Sequence, residues 1–319
     1  MTAHATTLQP LADRRIGILG KGGSGKSTLV VLLSRALARR GYAVVVLDAD
    51  STNVGLHRAL GIADPPRPLL EYFGGSVFSG GAVTCPVDDP TALAAGTVDL
   101  EDLPEGYARR GPDGVWLLVA GKLAELGAGA GCDGPIAKIT RDLEVRTSSR
   151  RQVTLVDLKA GFEDSARGVL VRLDAAMAVV DPTFASVRMA AALVRLVEEI
   201  RAGAKPATRH LADPALVALA NRLYAQARIR DVFVVLNKIA DEETERTLRR
   251  ALAAEGVSVT GVLHDDAGLT RAWLVGDVLD GRALDPDTEL IADRMEAWMA
   301  RRPPRAEAPA HGAMLEVHG

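Results

Sequence analysis

Two lysines stand in a run of glycines, Gly20-Lys21-Gly22-Gly23-Ser24-Gly25-Lys26-Ser27-Thr28. Gly20, Gly25, Lys26 and Ser27 fit the spacing G-x-x-x-x-G-K-[ST], in which successive backbone N–H groups and a helix N-terminus converge on a polyphosphate. In that pattern the lysine is a mobile cation for the β and γ phosphate oxygens, and the serine hydroxyl reaches Mg²⁺. Glycines are required because a Cβ would block close backbone approach or the positive φ values of such a turn. The flanks supply the context the pattern needs: a short apolar strand, Ile16 to Leu19, runs in, and a helix with Leu29, Leu32, Leu33 and Leu37 on its apolar positions runs out.

Further polar residues recur at the ends of apolar runs. Ala43 to Leu47 is continuous and β-branched, as expected of a strand buried on both faces, and it finishes in Asp48-Ala49-Asp50. Val153 to Val156 finishes in Asp157-Leu158-Lys159-Ala160-Gly161, Val232 to Leu236 in Asn237-Lys238, and Val257 to Val262 in Leu263-His264-Asp265-Asp266. In an open parallel sheet ligands lie beyond the carboxyl ends of the strands, so these residues reach the same edge as the glycine loop. Asp157 at such an end can hold a Mg²⁺ water, and the Gly161 amide can approach a γ phosphate. A helix cap or turn aspartate is the other reading of Asp48 and Asp50, and His264 either lines a base pocket or is a loop histidine without a role.

The first lysine makes the loop resemble the deviant Walker A motif, K-G-G-x-G-K-[ST], of the MinD/ParA-type ATPases. That group also includes the nitrogenase iron protein, the arsenical-pump ATPases and the carbon monoxide dehydrogenase maturation ATPases. The resemblance covers nearly all of residues 14 to 302 and implies a Mg²⁺-dependent ATPase that dimerises on ATP. It implies that Lys21 reaches across a two-fold axis to the partner's nucleotide and that Thr28 meets the α phosphate. Asp50 is then the switch I residue that orients the attacking water, Asp48 supports the Mg²⁺ region, and Asn237 contacts adenine; Gly22, Gly23 and Ser24 complete the cradle. Asp157-x-x-Ala160-Gly161 matches switch II, and Phe162-Glu163-x-x-x-Arg167-Gly168 is closer to the maturation ATPases than to the chromosome-partitioning branch.

Gly127-Ala-Gly-Ala-Gly-Cys132-Asp-Gly134-Pro135 is similar to the place where the maturation ATPases carry a Cys-x-Cys pair, with Gly134 where the second cysteine would be. One thiolate per chain gives two across a homodimer, half of a tetrahedral set for Ni or Zn at the dimer interface. The ligand count is short, so Cys132 reads more readily as a small buried hydrophobe, and Cys85 is the weaker metal candidate.

Composition bounds the partners. The 319 residues are 48% hydrophobic and 25% charged with a net charge of −3, so no basic balance favours DNA or an anionic membrane. Two cysteines make no disulfide framework, and a reduced cytoplasmic setting fits. Residues 1–13 read as a flexible leader, and 303–319 as a disordered tail whose three prolines near its start oppose a helix, the element by which MinD-type relatives attach to membrane. Between them, strands and helices alternate: Trp116 to Val119 and Ala175 to Val180 are strands, a long amphipathic helix follows Asp181-Pro182, and a helix begins near Ile136. Residues 62 to 114 read as irregular apart from a short helix at Leu69 to Phe73, residues 203 to 230 as an insertion with one helix, and Asp287 to Ala300 as the closing helix. The expected fold is a single α/β domain with a doubly wound, mostly parallel sheet, a P-loop NTPase of the SIMIBI type. The expected function is a metallocentre-maturation ATPase acting on an unknown client protein, with a metalloenzyme as the candidate; the rival is a partitioning or positioning ATPase whose dimer is a scaffold.

Overall fold

The computed structural model describes residues 9–75, 81–123, 133–149 and 151–301. The first eight residues of the leader, Cys132 with the glycine run before it, and the proline-rich tail lie outside the described residues. In chain order the elements are β1 (Arg14–Gly20), α1 (Lys26–Arg39), β2 (Ala43–Asp48), α2 (Leu56–Ala59), α3 (Leu69–Tyr72), β3 (Thr97–Asp99), β4 (Arg109–Arg110), β5 (Trp116–Val119), α4 (Gly134–Asp142) and β6 (Glu144–Arg146). There follow β7 (Gln152–Asp157), α5 (Glu163–Ala166), β8 (Ala175–Val180), α6 (Phe184–Arg201), α7 (Pro214–Ala225), β9 (Val232–Ile239), α8 (Glu242–Ala254), β10 (Gly261–His264), α9 (Ala267–Val275) and α10 (Asp285–Met299).

Eight strands form one sheet in the order β10-β9-β8-β1-β7-β2-β5-β4, parallel throughout except for the short antiparallel edge strand β4. Strands β1, β2, β7 and β8 are almost wholly buried, which is why they read in the sequence as continuous apolar runs rather than alternating ones. Each face has its own core. One gathers Leu29, Leu33 and Leu37 of α1 with Ile291 and Met295 of α10 against Ile16, Val44 and Leu155. The other packs Val187, Ala191 and Leu193 of α6 and Leu248 and Leu252 of α8 against Leu19, Ala178 and Leu236. The strand ends line up at one edge: Ile18 stands in register with Asp157, and Asp157 with Asp48.

Three differences from the sequence reading have physical causes. The last strand runs from Gly261 to His264 rather than from Val257 to Val262, because pairing with β9 begins where the chain passes under α10. There a Cβ on residue 261 would stand 2.3 Å from Ile291 Cγ1, so only glycine lets the strand in. Residues 9 to 13, read as leader, include a turn whose Leu11 is fully buried and donates its backbone N–H to the Tyr42 hydroxyl oxygen. The segment 62–114 is not wholly irregular: besides α3 it contributes β3, paired in parallel with β6 in a separate two-stranded sheet, and β4 on the main one.

Candidate nucleotide site

The loop between β1 and α1 is shaped by what surrounds its glycines. Gly25 has φ +93°, and a Cβ there would lie 2.0 Å from Asn237 Nδ2. Asn237, at the end of β9, is 5% exposed and donates that amide to the Ser24 carbonyl at 2.7 Å. The next residue, Lys238, adopts the left-handed conformation at φ 59° and donates its ammonium to the Gly23 carbonyl at 2.8 Å. Two consecutive side chains of β9 thus fasten the loop from the far side. Helix α1 begins immediately after, with no side-chain cap, so its first amides remain open to an anion.

Gly25→Ala therefore places a methyl in the space of the Asn237 amide and a left-handed φ on an L residue, costing about 1–2 kcal/mol for the backbone alone. Turnover is expected to fall about 10²-fold, the effect of shifting the neighbouring Lys26 by about 1 Å. Steady-state ATPase rates test this, and parental turnover would show that the loop has slack the packing does not reveal.

A cavity of about 520 Å³ opens on the loop, lined by Gly22, Gly23, Gly25, Lys26, Ser27 and Thr28 on one side and by Asp50, Thr52, Asn53 and Ala160 from the switch segments on another. Its remaining wall carries Asn237, Lys238, His264, Asp265, Thr270 and Trp273. The structure thus brings Lys26, Ser27, Thr28, Asp50 and Asn237 of the sequence candidates to one cavity. Lys21 is exposed and does not line it. The Gly161 amide is committed to the Gly20 carbonyl at 3.2 Å, so approach to a γ phosphate requires that bond to open.

Asp50 is buried, and its Oδ1 accepts from the Thr52 amide at 3.0 Å, the Thr52 hydroxyl at 2.7 Å and the Asn53 amide at 3.2 Å. The carboxylate closes its own turn with one oxygen, as the capping reading expected, while the residue still lines the cavity. Ser27 donates its hydroxyl to Asp157 Oδ2 at 2.6 Å and accepts from Asn53 Nδ2 at 2.8 Å. Asp48 and Asp157 lie side by side on neighbouring strands, both buried, and Oδ1 of each has no hydrogen-bond partner among the described residues. Burial pushes the Asp157 carboxyl up to about 7, with the Asp48 charge adding to it. Burial likewise raises Asp48 to about 6 against the opposing pull of Lys122. Two such carboxyls beside a serine hydroxyl fit a divalent cation, whose charge would offset what burial costs them.

Several residues of this arrangement escaped the sequence reading. Asn53 lies three residues past Asp50 and was detectable only as part of the same strand-end segment. Trp273 donates its indole N–H to the Thr28 hydroxyl at 2.8 Å from a helix 245 positions away. Asp133, at the start of α4, gathers the Ser51 hydroxyl at 3.1 Å, the Lys159 ammonium at 2.9 Å and Arg167 at 2.7 Å, which hold its carboxyl below the usual range. It thereby joins the segments after β2 and β7. Cys85 is half-buried against Gly134, where a Cβ would stand 2.7 Å from its sulfur; no group of three or more His, Cys, Asp or Glu that could hold a metal occurs among the described residues.

Residues 18–278 match the model of the CobQ/CobB/MinD/ParA nucleotide binding domain. The chain belongs to this family. Within it, an uncharacterized ATP-binding protein of Methanocaldococcus jannaschii is 33% identical over 268 residues, covering 83% of this chain and 94% of the relative. The carbon monoxide dehydrogenase accessory protein CooC of Rhodospirillum rubrum is 30% identical over 189 residues, 58% of this chain and 70% of that one. Among solved structures, the septum site-determining protein MinD of Pyrococcus horikoshii complexed with Mg-ADP superposes with a TM-score of 0.56 at 16% identity, covering 92% of this chain and 99% of MinD. That likeness shows the MinD/ParA fold, and the family assignment makes this an ATP-binding P-loop protein. No helix among the described residues is long and apolar enough to cross a membrane.

Proposed function

We propose that this MinD/ParA-family protein is a Mg²⁺-dependent, ATP-hydrolysing switch that works as a homodimer in the maturation of a metallocentre. One observation carries the shared-site part: of the two loop lysines, Lys26 lines the cavity and Lys21 stands exposed outside it. Lys26 binds the β and γ phosphates of its own ATP, while Lys21 is free to serve the ATP of a second subunit. Thr28 holds the α phosphate, its oxygen already accepting the Trp273 N–H so that its own proton can go to the ligand. Asn237 and Lys238 fix the loop on which the phosphates rest. Ser27, Asp157 and Asp48 would hold Mg²⁺, which would supply charge neutralisation for the phosphates. The second Asp50 oxygen orients the attacking water, and Asp133 carries the state of both switch segments to the base of α4.

The maturation branch is supported by the CooC relative and by the switch II sequence Phe162-Glu163 through Arg167-Gly168. The client is then a metalloenzyme, and a transition metal held by Cys132 across the dimer belongs to the same reading. A partitioning ATPase is the alternative. ATP-dependent DNA binding with a steep salt slope would favour it, whereas no binding at any salt concentration favours maturation.

Asp50→Ala is expected to keep ATP affinity within about threefold of the parent and to lower kcat by about 10²–10⁴-fold, the range for a lost general base. Calorimetric binding and steady-state hydrolysis, measured on the same preparation, separate the two. Lost binding with normal turnover per bound ATP contradicts the role given to Asp50.

A further inference from the structure

We propose that Lys122, at the carboxyl end of β5, is a positioning residue for hydrolysis: its ammonium holds the turn Asp50 to Asn53 in the shape that presents the Asp50 carboxylate to the cavity. This rests on the ATPase reading above and on the water-orienting role given there to Asp50. The ammonium has three protons and three acceptors, Asp48 Oδ2 at 2.8 Å, the Asp50 carbonyl at 2.6 Å and the Asn53 carbonyl at 2.7 Å. The two carbonyls are the two ends of the turn whose inner amides bind Asp50 Oδ1. The turn is therefore tied from within by its own carboxylate and from outside by Lys122. Asp48 anchors the ammonium to the last residue of β2, a rigid element.

The lysine itself is held in place by backbone bonds that continue the β2 to β5 pairing: the Ala120 amide to the Asp48 carbonyl at 2.8 Å and the Leu123 amide to the Ser51 carbonyl at 2.9 Å. Its side chain is 18% exposed and does not line the cavity, so it acts through Asp50 and not on the nucleotide. An arginine could not replace it, because a planar fork cannot send three bonds from one nitrogen.

Lys122→Met keeps the stem and removes all three bonds. The expected result is kcat lowered about 10- to 100-fold, as for a catalytic group displaced by about 1 Å, with KM for ATP and affinity for ADP within threefold of the parent. Lys122→Arg should fall between the two. In the Asp50→Ala background, Lys122→Met should cost nothing further, because the carboxylate it positions is gone. A full additional loss in that background, a parental kcat, or a rise in KM without a change in kcat would each overturn the proposal. If Lys122→Met slows turnover while Asp50→Ala does not, this proposal and the role of Asp50 fail together and the ATPase reading stands; no hydrolysis by the parent removes the ATPase reading itself. Should Lys122→Met fold poorly because Asp48 is left buried and unpaired, Lys122→Arg is the second variant, since it keeps a charge for Asp48 while failing to tie both carbonyls. It should fold and bind ADP as the parent does and remain slower in turnover, and parental turnover by this variant would show that charge balance alone was at issue.

Discussion

Lys26→Ala should fold as the parent does and hydrolyse ATP at least about 10²–10³-fold more slowly, the cost of removing one preorganised donor from developing oxyanion charge. The side chain is 7% exposed at the first position of α1, and its nearest acceptor is a weak one, the Lys21 carbonyl at 3.5 Å. The other lysine in the cavity wall, Lys238, already gives its ammonium to the Gly23 carbonyl. Lys26 is thus the cation that can move onto β and γ oxygens without loosening the loop. Stability should change modestly, since the amine makes only the long bond to the Lys21 carbonyl and what is lost besides is its charge near the buried Asp157. A phosphate-release assay at saturating ATP, with thermal unfolding as the control for folding, gives the answer. Parental hydrolysis by the variant would remove the phosphate-loop reading.

What the sequence revealed of this site follows from how the sheet is built. Strands buried on both faces must be apolar nearly from end to end, so β2, β5, β7, β8 and β9 announce themselves, and the polar residues at their carboxyl ends are candidates for the ligand edge. Asp48, Asp50, Asp157 and Asn237 were found by that rule. It reached His264 as well, but it assigns no partner and did not single out Lys122: that Lys122 faces Asp48, Asp50 and Asn53 depends on β2 and β5 being neighbours, which the chain order does not dictate. Helix α8 was not read, although its few apolar residues, Leu248 and Leu252 among them, fall on one face of a strongly polar helix. Helix α9 escaped because Leu274 and Val275 point outward at 84% and 65% exposure and blur its pattern. With α9 unseen, Trp273 could not be placed beside Thr28. The last strand was set four residues early because Val257 and Val259 are apolar for packing on the core, while pairing waits for the glycine that fits beneath Ile291.

Lys21→Ala carries the second large effect. A cation given in trans contributes about 10³–10⁵-fold to turnover in the phosphoryl-transfer enzymes that use one. Lys21 is exposed and lies outside its own cavity, so its removal should leave the affinity of a single subunit for ATP unchanged. Hydrolysis and association should be lost together, because the same ammonium neutralises the partner's phosphates and closes the interface. Titrating protein concentration at fixed ATP distinguishes this from a local defect: the parent's specific activity should rise with concentration and the variant's stay flat. A variant as active as the parent would return Lys21 to the role of a solvated loop lysine.

The central claim is that ATP joins two subunits through a site completed by Lys21 of each. Sedimentation velocity of the parent with Mg²⁺ and a non-hydrolysable ATP analogue tests it most directly. The expected result is a doubling of mass with the analogue, monomer with ADP, and monomer for Lys21→Ala under both conditions. A parent that stays monomeric with the analogue at every concentration, or a variant that dimerises equally well, would contradict it.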